Sequence, residues 1–470
     1  MKILLINPRV ENEILTCNLE IVEEERGYNP PLGILYVAAY LLKNSKHEVK
    51  VIDAQAEEMD DKELLRIVAE YRPDVVGITA MTFTLIDVLN CVGTVKRAFP
   101  SAKVVLGGPH VSIYPEETIN LPGVDYLVLG EGEMTFCQLV SNIDNFEALR
   151  KMKGITFKEN GVIVNTGNPD FISDLDSVPF PARELTPIEK YSSLLASDSP
   201  ITTMFTSRGC PYRCTFCNRP NMGKVFRAVS ASRVVDEMEL CASMGIKEIF
   251  FYDDTFCVRK NRVLDICSEI KKRGISIPWD IRTRVDTMDE EILKSLKSAG
   301  CQRIHYGVES GSPRILEVLQ KGINLEKVVD VFRMTRKHKI TTFAYFMIGI
   351  PTETKADAMA TIDFAKKLDP DYIQMTIFTP FPGTEIYARA LKDGVFESDY
   401  WREFSARPDK DFKTRYWEKE MPERELKDLL IHAYKEFYGR PVYIIRKLAR
   451  VRSFGELKRK VGAGLKLLKL

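Results

Sequence analysis

The sequence lacks a net charge, a long apolar run and a second cluster of cysteines, and each lack removes a class of function. Its 67 Lys and Arg face 66 Asp and Glu, a formal net charge of +1. That balance leaves no basic domain of the kind a nucleic-acid binder carries, so no nucleic-acid partner is expected. No uninterrupted apolar stretch approaches the roughly 18 to 20 residues that span a bilayer. The short run in Met1-Lys2-Ile3-Leu4-Leu5-Ile6-Asn7-Pro8 is not followed by the cleavage site of a secretory leader. Secretion and membrane spanning are therefore excluded from the expectation, and a cytoplasmic protein is expected. Internal repeats and low-complexity segments are missing too. In the cytosol the ten cysteines stay reduced unless they hold metal.

What is present is an ordinary globular mix, 45% apolar and 28% charged over 470 residues, enough for two or three domains. Over residues 1–145, strand-like runs at Lys2–Asn7, Glu48–Asp53, Asp74–Ala80, Lys103–Gly107 and Asp125–Leu129 alternate with helical patterns. Most of these runs are nearly continuous in apolar character, as strands buried on both faces are. An α/β fold follows, beginning with a doubly wound, Rossmann-like domain whose ligands sit at the carboxyl ends of its strands. A response-regulator-like module is the plainer alternative, but the first strand ends in Asn7-Pro8 rather than in acids. Residues 146–195 read as a hairpin turning at Asn160-Gly161 and a proline-rich linker. A second alternating series, residues 196–390, has six strand patterns and fits a partial (β/α)6 barrel, because its polar residues fall just after the strands. Residues 391–470 look helical.

Seven of the cysteines stand alone in sequence; Cys210, Cys214 and Cys217 form the tight group, in Cys210-Pro211-Tyr212-Arg213-Cys214-Thr215-Phe216-Cys217. A structural zinc site takes four ligands, commonly as paired C-x-x-C knuckles. A triad of thiolates suits an iron–sulfur cluster with one iron left open. This C-x-x-x-C-x-x-C string, placed after the first strand of a β/α series, resembles the radical S-adenosylmethionine superfamily. The resemblance implies a 4Fe–4S cluster on Cys210, Cys214 and Cys217 whose open iron chelates S-adenosylmethionine. Reduction then yields a 5′-deoxyadenosyl radical that abstracts hydrogen, with flavodoxin or ferredoxin as the electron donor.

Other positions are carried over from the same resemblance. Phe216 takes the place of an aromatic next to adenine. Asp253 or Asp254 accepts from the methionyl ammonium, or else caps the following helix. Arg282, Arg284, Glu309 and Ser310 resemble positions binding the cofactor's carboxylate and ribose, with surface ion pairing as the alternative. Gly349-Ile350-Pro351-Thr352-Glu353 matches a turn that packs on adenine through Gly349 and Pro351, and Glu353 could equally begin a helix at its positive end.

The first domain is similar to the cobalamin-binding domain that precedes some radical barrels. Thr79, Gly107, Gly108, His110, Gly130 and Glu131 mark the strand ends where cobalamin is expected, the glycines allowing close approach of a flat ligand. The D-x-H-x-x-G string that supplies a cobalt-ligating histidine is missing. His110 lies in the wrong loop for that role and is expected to shape the pocket. Loss of cobalamin from the domain stays open as an alternative. Methylthiotransferases and coproporphyrinogen dehydrogenases fit less well, since the context of Cys17, Cys91 and Cys137 differs and Asp253-Asp254-Thr255 replaces a glycine-rich segment. A cobalamin sensor with a relic barrel is the non-enzymatic alternative.

The resemblance therefore implies a cobalamin-dependent enzyme. Methyl transfer to an unactivated carbon is favoured, and radical cyclisation or oxidation is the second outcome. From residue 441 onward, Arg446, Lys447, Arg450, Arg452, Lys458, Arg459, Lys460, Lys466 and Lys469 face one acid, Glu456. Such a tail suits either a helix on an anionic inner-membrane surface or a solvated helix docked on the barrel. It also resembles the tails of hopanoid-biosynthesis and magnesium-protoporphyrin ester cyclase relatives, which implies a small hydrophobic or lipid-like substrate.

Overall fold

The structure, a computed structural model, describes residues 1–14, 16 and 27–448. Cys17 and the basic residues at 450–469 lie outside the described residues. Five parallel strands, β1 (Lys2–Asn7), β2 (Glu48–Asp53), β3 (Val75–Thr79), β4 (Lys103–Gly107) and β5 (Tyr126–Val128), alternate with helices. They line up as β2-β1-β3-β4-β5. Four successive residues of β1, Ile3 to Ile6, are buried, as a strand covered by helices on both faces requires. The chain direction across the sheet reverses between β1 and β3, and the ligand crevice of such a sheet lies at that switch point, beyond the strands' carboxyl ends.

The hairpin β6 (Ile155–Glu159) and β7 (Val162–Asn165) does not stand apart. It continues the first sheet, β6 running antiparallel to β5. Asn160 and Gly161 both take positive φ, 50° and 81°, the combination a tight hairpin turn needs. Ile155 and Phe157 are fully buried against the first domain, and that burial draws the hairpin in.

The second sheet is wholly parallel and keeps chain order: β8 (Ile201–Met204), β11 (Glu248–Phe251), β12 (Trp279–Arg284), β13 (Cys301–Glu309), β14 (Thr341–Ile348) and β15 (Tyr372–Ile377). Its first and last strands do not pair, so it is a half-barrel. Between β8 and β11 a two-residue ribbon, β9 (Ser207–Arg208) against β10 (Arg227–Ala228), closes the loop that carries the three cysteines. Alternate strand residues separate the two faces. Ile281, Ile304, Ala344 and Phe346 join the core beneath the helices, leaving Arg282, His305 and Tyr345 on the other face.

The helix Glu423–Tyr438 packs beside β15. Its Tyr434 and Tyr438 hydroxyls, one turn apart, each accept from a backbone N–H of that edge strand, Met375 at 3.1 Å and Ile373 at 3.0 Å, and each donates back to the same residue's carbonyl. Two shorter helices, Glu385–Lys392 and Tyr400–Ala406, turn instead towards the first domain. There Trp401 and Phe404 enter a core that also holds Val88, Leu106 and Val111. The helix Pro441–Leu448 docks under β15 through Tyr443, which donates to the Asp371 carbonyl at 2.9 Å, through the Arg446–Asp369 pair, and through Lys447 to Asp371 at 3.2 Å. Arg446 and Lys447 thus serve the barrel. Among the described residues no helix is long and apolar enough to cross a membrane.

Gly108 has φ +105°, and a Cβ there would lie 2.7 Å from the Ala80 carbonyl oxygen. Its need for glycine arises inside the first domain, at the crossing of the β3 and β4 loops, whether or not a ligand lies above it. Gly108→Ala is therefore expected to cost about 1–3 kcal/mol of unfolding free energy without any cobalamin present. Denaturant unfolding of the cobalamin-free chain checks this.

Candidate active site

The site is built around loop 209–226. At its base Gly209, φ +79°, crosses under the Val225 carbonyl so closely that a Cβ has no room. Cys210 is buried, while Cys214 and Cys217 are half-buried. The loop is tied down at its middle by Thr215, whose N–H donates to the Leu319 carbonyl at 3.1 Å and whose hydroxyl donates to Val318 at 3.1 Å. Each sulfur has a polar neighbour. Cys210 Sγ lies 3.5 Å from the Thr255 hydroxyl, Arg219 donates to Cys217 Sγ at 3.3 Å, and Arg284 reaches Cys214 Sγ at 3.7 Å. Two guanidinium groups aimed at thiol sulfurs fit a donor set built to hold an anionic sulfur-rich group. Among the described residues, no three His, Cys, Asp or Glu side chains are already drawn in to a single metal-binding point. Burial pushes the Cys217 thiol up to about 11, so ligation there must release a proton.

The strand-end residues fall into two groups. Asp254 is exposed at the mouth, and Arg282 is partly exposed on the inner face, its guanidinium stacked 3.8 Å from the centre of the Tyr252 ring. Phe216 packs at the junction with the first domain, with Lys321 Nζ 5.9 Å from its ring. These positions are open to a ligand. Others are already bonded within the protein. Asp253 accepts four hydrogen bonds, from the backbone N–H and the hydroxyl of both Thr206 and Ser207. That fills a carboxylate's accepting capacity, so it positions the approach to the cysteine loop and has no capacity left for an ammonium. Arg284 grips Asp286 with two bonds of 2.9 Å and donates to the Lys321 carbonyl. Its role is at the Cys214 side of the loop. Ser310 is buried, 3.1 Å from the Thr361 hydroxyl, and faces a helix.

Glu309 adopts φ +71°, rare for a residue with a side chain and common at functional sites. Lys321 donates to it at 2.7 Å, and the pair folds over Gly307, whose missing Cβ makes the room. Gly349, also at positive φ, lies under Leu426, and Pro351 is buried. Glu353 does not begin the next helix; Thr354 does, in a reciprocal cap with Asp357. The Glu353 carboxylate instead accepts from the backbone of Gly349 and Ile350, leaving Oε1 buried without a partner.

In the first domain, Thr79 and Gly107 are half-buried at the carboxyl ends of β3 and β4. A Cβ on Gly107 would meet no atom nearer than 3.8 Å. They fit a flat ligand laid over the strand ends. His110 does not shape that surface. Its ring is fully buried, 3.1 Å from the Thr82 hydroxyl, and burial lowers its pKa to about 4. Gly130 is covered by Pro169 of the linker. Glu131 faces arginines: Arg208 at 2.9 Å and Arg227 at 2.8 Å.

Residues 204–365 match the Radical SAM superfamily, and residues 21–140 match the B12 binding domain. An uncharacterized methyltransferase of Pyrococcus horikoshii is 37% identical over 97% of this chain and 96% of its own length. The chain belongs to the cobalamin-dependent radical S-adenosylmethionine family. It is a radical S-adenosylmethionine enzyme, and its cofactors are a 4Fe–4S cluster, S-adenosylmethionine and cobalamin. An anaerobic magnesium-protoporphyrin IX monomethyl ester cyclase of Cereibacter sphaeroides is 29% identical over 88% of the chain and 68% of its own. Among solved structures, the radical S-adenosylmethionine methyltransferase TsrM from Kitasatospora setae superposes with a TM-score of 0.69. It shares 21% identity and covers 83% of this chain and 78% of its own.

Sequence reasoning missed Arg219, Lys321 and Thr255. Arg219 carried a signal as a cation two residues beyond the last cysteine, and Thr255 another as the neighbour of Asp254 at a strand end; Lys321 reaches the site only through the fold.

Burial raises the Glu353 carboxyl to about 7, above its value in the unfolded chain. The folded state then holds the proton through a pH range where the unfolded state has lost it, so stability falls as pH rises from about 4.3 towards 7. Glu353→Gln is expected to flatten that slope, read as a smaller difference between melting temperatures at pH 5 and pH 8.

Proposed function

We propose that this enzyme transfers a methyl group to an unactivated carbon of a small hydrophobic substrate, drawing electrons from a carrier such as flavodoxin or ferredoxin. The supporting observation is the seating of the cysteine loop directly on the first domain's strand ends. Ser112, just past β4, accepts from the Gly130 backbone at 3.0 Å and donates to Asn221 of the cysteine loop at 2.9 Å. When bound, the cluster and S-adenosylmethionine supply hydrogen abstraction and cobalamin carries the methyl group. The chain's own residues hold and screen the reacting carbon. Cys210, Cys214 and Cys217 hold the cluster. Asp254, Arg282 and Phe216 stand where the nucleoside and amino-acid parts of the cofactor are expected. Thr79 and Gly107 face the cobalamin position. Tyr252, Tyr345 and Met347, all half-buried on the inner face, offer apolar surface that keeps water from a reactive carbon.

Label from the S-methyl group of S-adenosylmethionine should appear in product, and Cys214→Ala should abolish both that label and reductive cleavage. Product without label would favour cyclisation or oxidation, the reading that the similarity to the Cereibacter cyclase supports.

The inner-membrane reading of the tail rests on the basic residues beyond 448. Each contributes on the order of 1 kcal/mol near an anionic surface. The chain is expected to sediment with anionic liposomes and to be released by salt, and truncation after Leu448 should abolish the binding while sparing the docked helix. Equal binding to neutral liposomes would refute it.

A further inference from the structure

We propose that Glu131, seconded by Glu133, is a positioning residue that locks the cysteine loop to the first domain and thereby sets where the cluster stands relative to cobalamin. The two glutamates follow β5, on the rim of the first sheet. The two arginines they meet are cross-strand partners at the base of the cysteine loop, Arg208 on β9 and Arg227 on β10. Glu131 Oε1 accepts from Arg208 and Arg227, each at 2.9 Å; Oε2 accepts from Arg227 at 2.8 Å and from the Ile172 backbone at 2.7 Å. Glu133 takes the remaining fork of Arg208. All four side chains are at most 9% exposed, so their charges are compensated by one another and not by water.

Three features make this more than an interdomain contact. First, the lock acts on the loop from its hinge, because Arg208 lies two residues before Cys210. Second, Arg227 continues into the loop, donating to the Met222 carbonyl at 3.1 Å, and the next residue, Gly223, accepts from the Cys210 backbone at 3.3 Å. A continuous run of hydrogen bonds and chain thus joins Glu131 to the first cysteine. Third, the linker is clamped in the same place. Arg227 donates to the Ile172 carbonyl at 2.7 Å and stacks on Phe171 at 4.7 Å, while Gly223 packs so closely on the Phe171 ring that no Cβ fits. Arg208 stacks on Tyr36 of the first domain at 5.1 Å. The strength of an ion pair cut off from water depends on keeping every partner in place, so the lock has one geometry and passes it to the loop. This inference rests on the two cofactors of the family and not on which carbon is methylated.

The test uses the full chain, anaerobically reconstituted with cluster and cobalamin, as wild type, Glu131→Gln, Arg227→Gln and the double variant. Iron and cobalamin contents are measured first, so that a lost cofactor is not mistaken for a displaced one. Two readouts follow that do not need substrate. One is the magnetic coupling between the reduced cluster and cob(II)alamin in electron paramagnetic resonance, expected to weaken or broaden in each variant that keeps both cofactors. The other is tryptic cleavage within the loop, at the exposed Arg213 or Lys224, expected to speed up roughly tenfold. Because the residues act as one unit, the double variant should be no worse than the single ones. If Glu131→Gln does not fold, Glu133→Gln, which loses only its contact with Arg208, should show the same changes at smaller size. Unchanged coupling and unchanged cleavage in variants that retain both cofactors, or strictly additive effects, would overturn the proposal.

Discussion

A loop that carries three metal-binding thiols must be held at both ends, and here a ribbon only two residues wide does the holding. Ser207–Arg208 pairs with Arg227–Ala228, and the rest of the site is arranged to keep that ribbon in place. From below, the Asp253 carboxylate gathers the backbone and hydroxyls of Thr206 and Ser207. From the side, the glutamates after β5 take the ribbon's arginines. From above, Arg219 and Arg284 turn their guanidinium groups towards the sulfurs. Most of these contacts are charge-assisted hydrogen bonds. Buried together, they leave the loop few alternative positions.

The architecture was legible because it rests on repetition. The boundaries of β1, β2 and β4 fall where the apolar pattern places them, since a strand buried on both faces writes those faces into the sequence many times over. The family was legible for a related reason: three cysteines at fixed spacing after a strand have few other uses. The hairpin's attachment to the first sheet was not legible, because pairing between β5 and β6 depends on tertiary burial of Ile155 and Phe157.

The individual roles at strand ends were less legible, for one reason. Position along a strand says that a polar side chain stands near the mouth, but not whether its bonding capacity is already used. Asp253 and Asp254 are neighbours of the same type, yet one is saturated by protein donors and the other is exposed. Ser310 and His110 were placed near ligands by their loops, and both turn inward to hydroxyl partners, Thr361 and Thr82. Gly108 is glycine for the sake of Ala80. Such commitments depend on partners tens of residues away and leave no local trace.

A half-barrel has a cost that a closed barrel avoids, because its last strand is an edge with unpaired backbone groups. On this chain β15 is that edge, and the two tyrosine hydroxyls one turn apart on Glu423–Tyr438 match the two-residue repeat of its outward amides. Paired in this way, the strand is a poor template for a strand from another molecule. The enzyme can thus keep one side of its barrel unclosed, with room for its cofactors, without presenting that strand as a sticky seam to its neighbours.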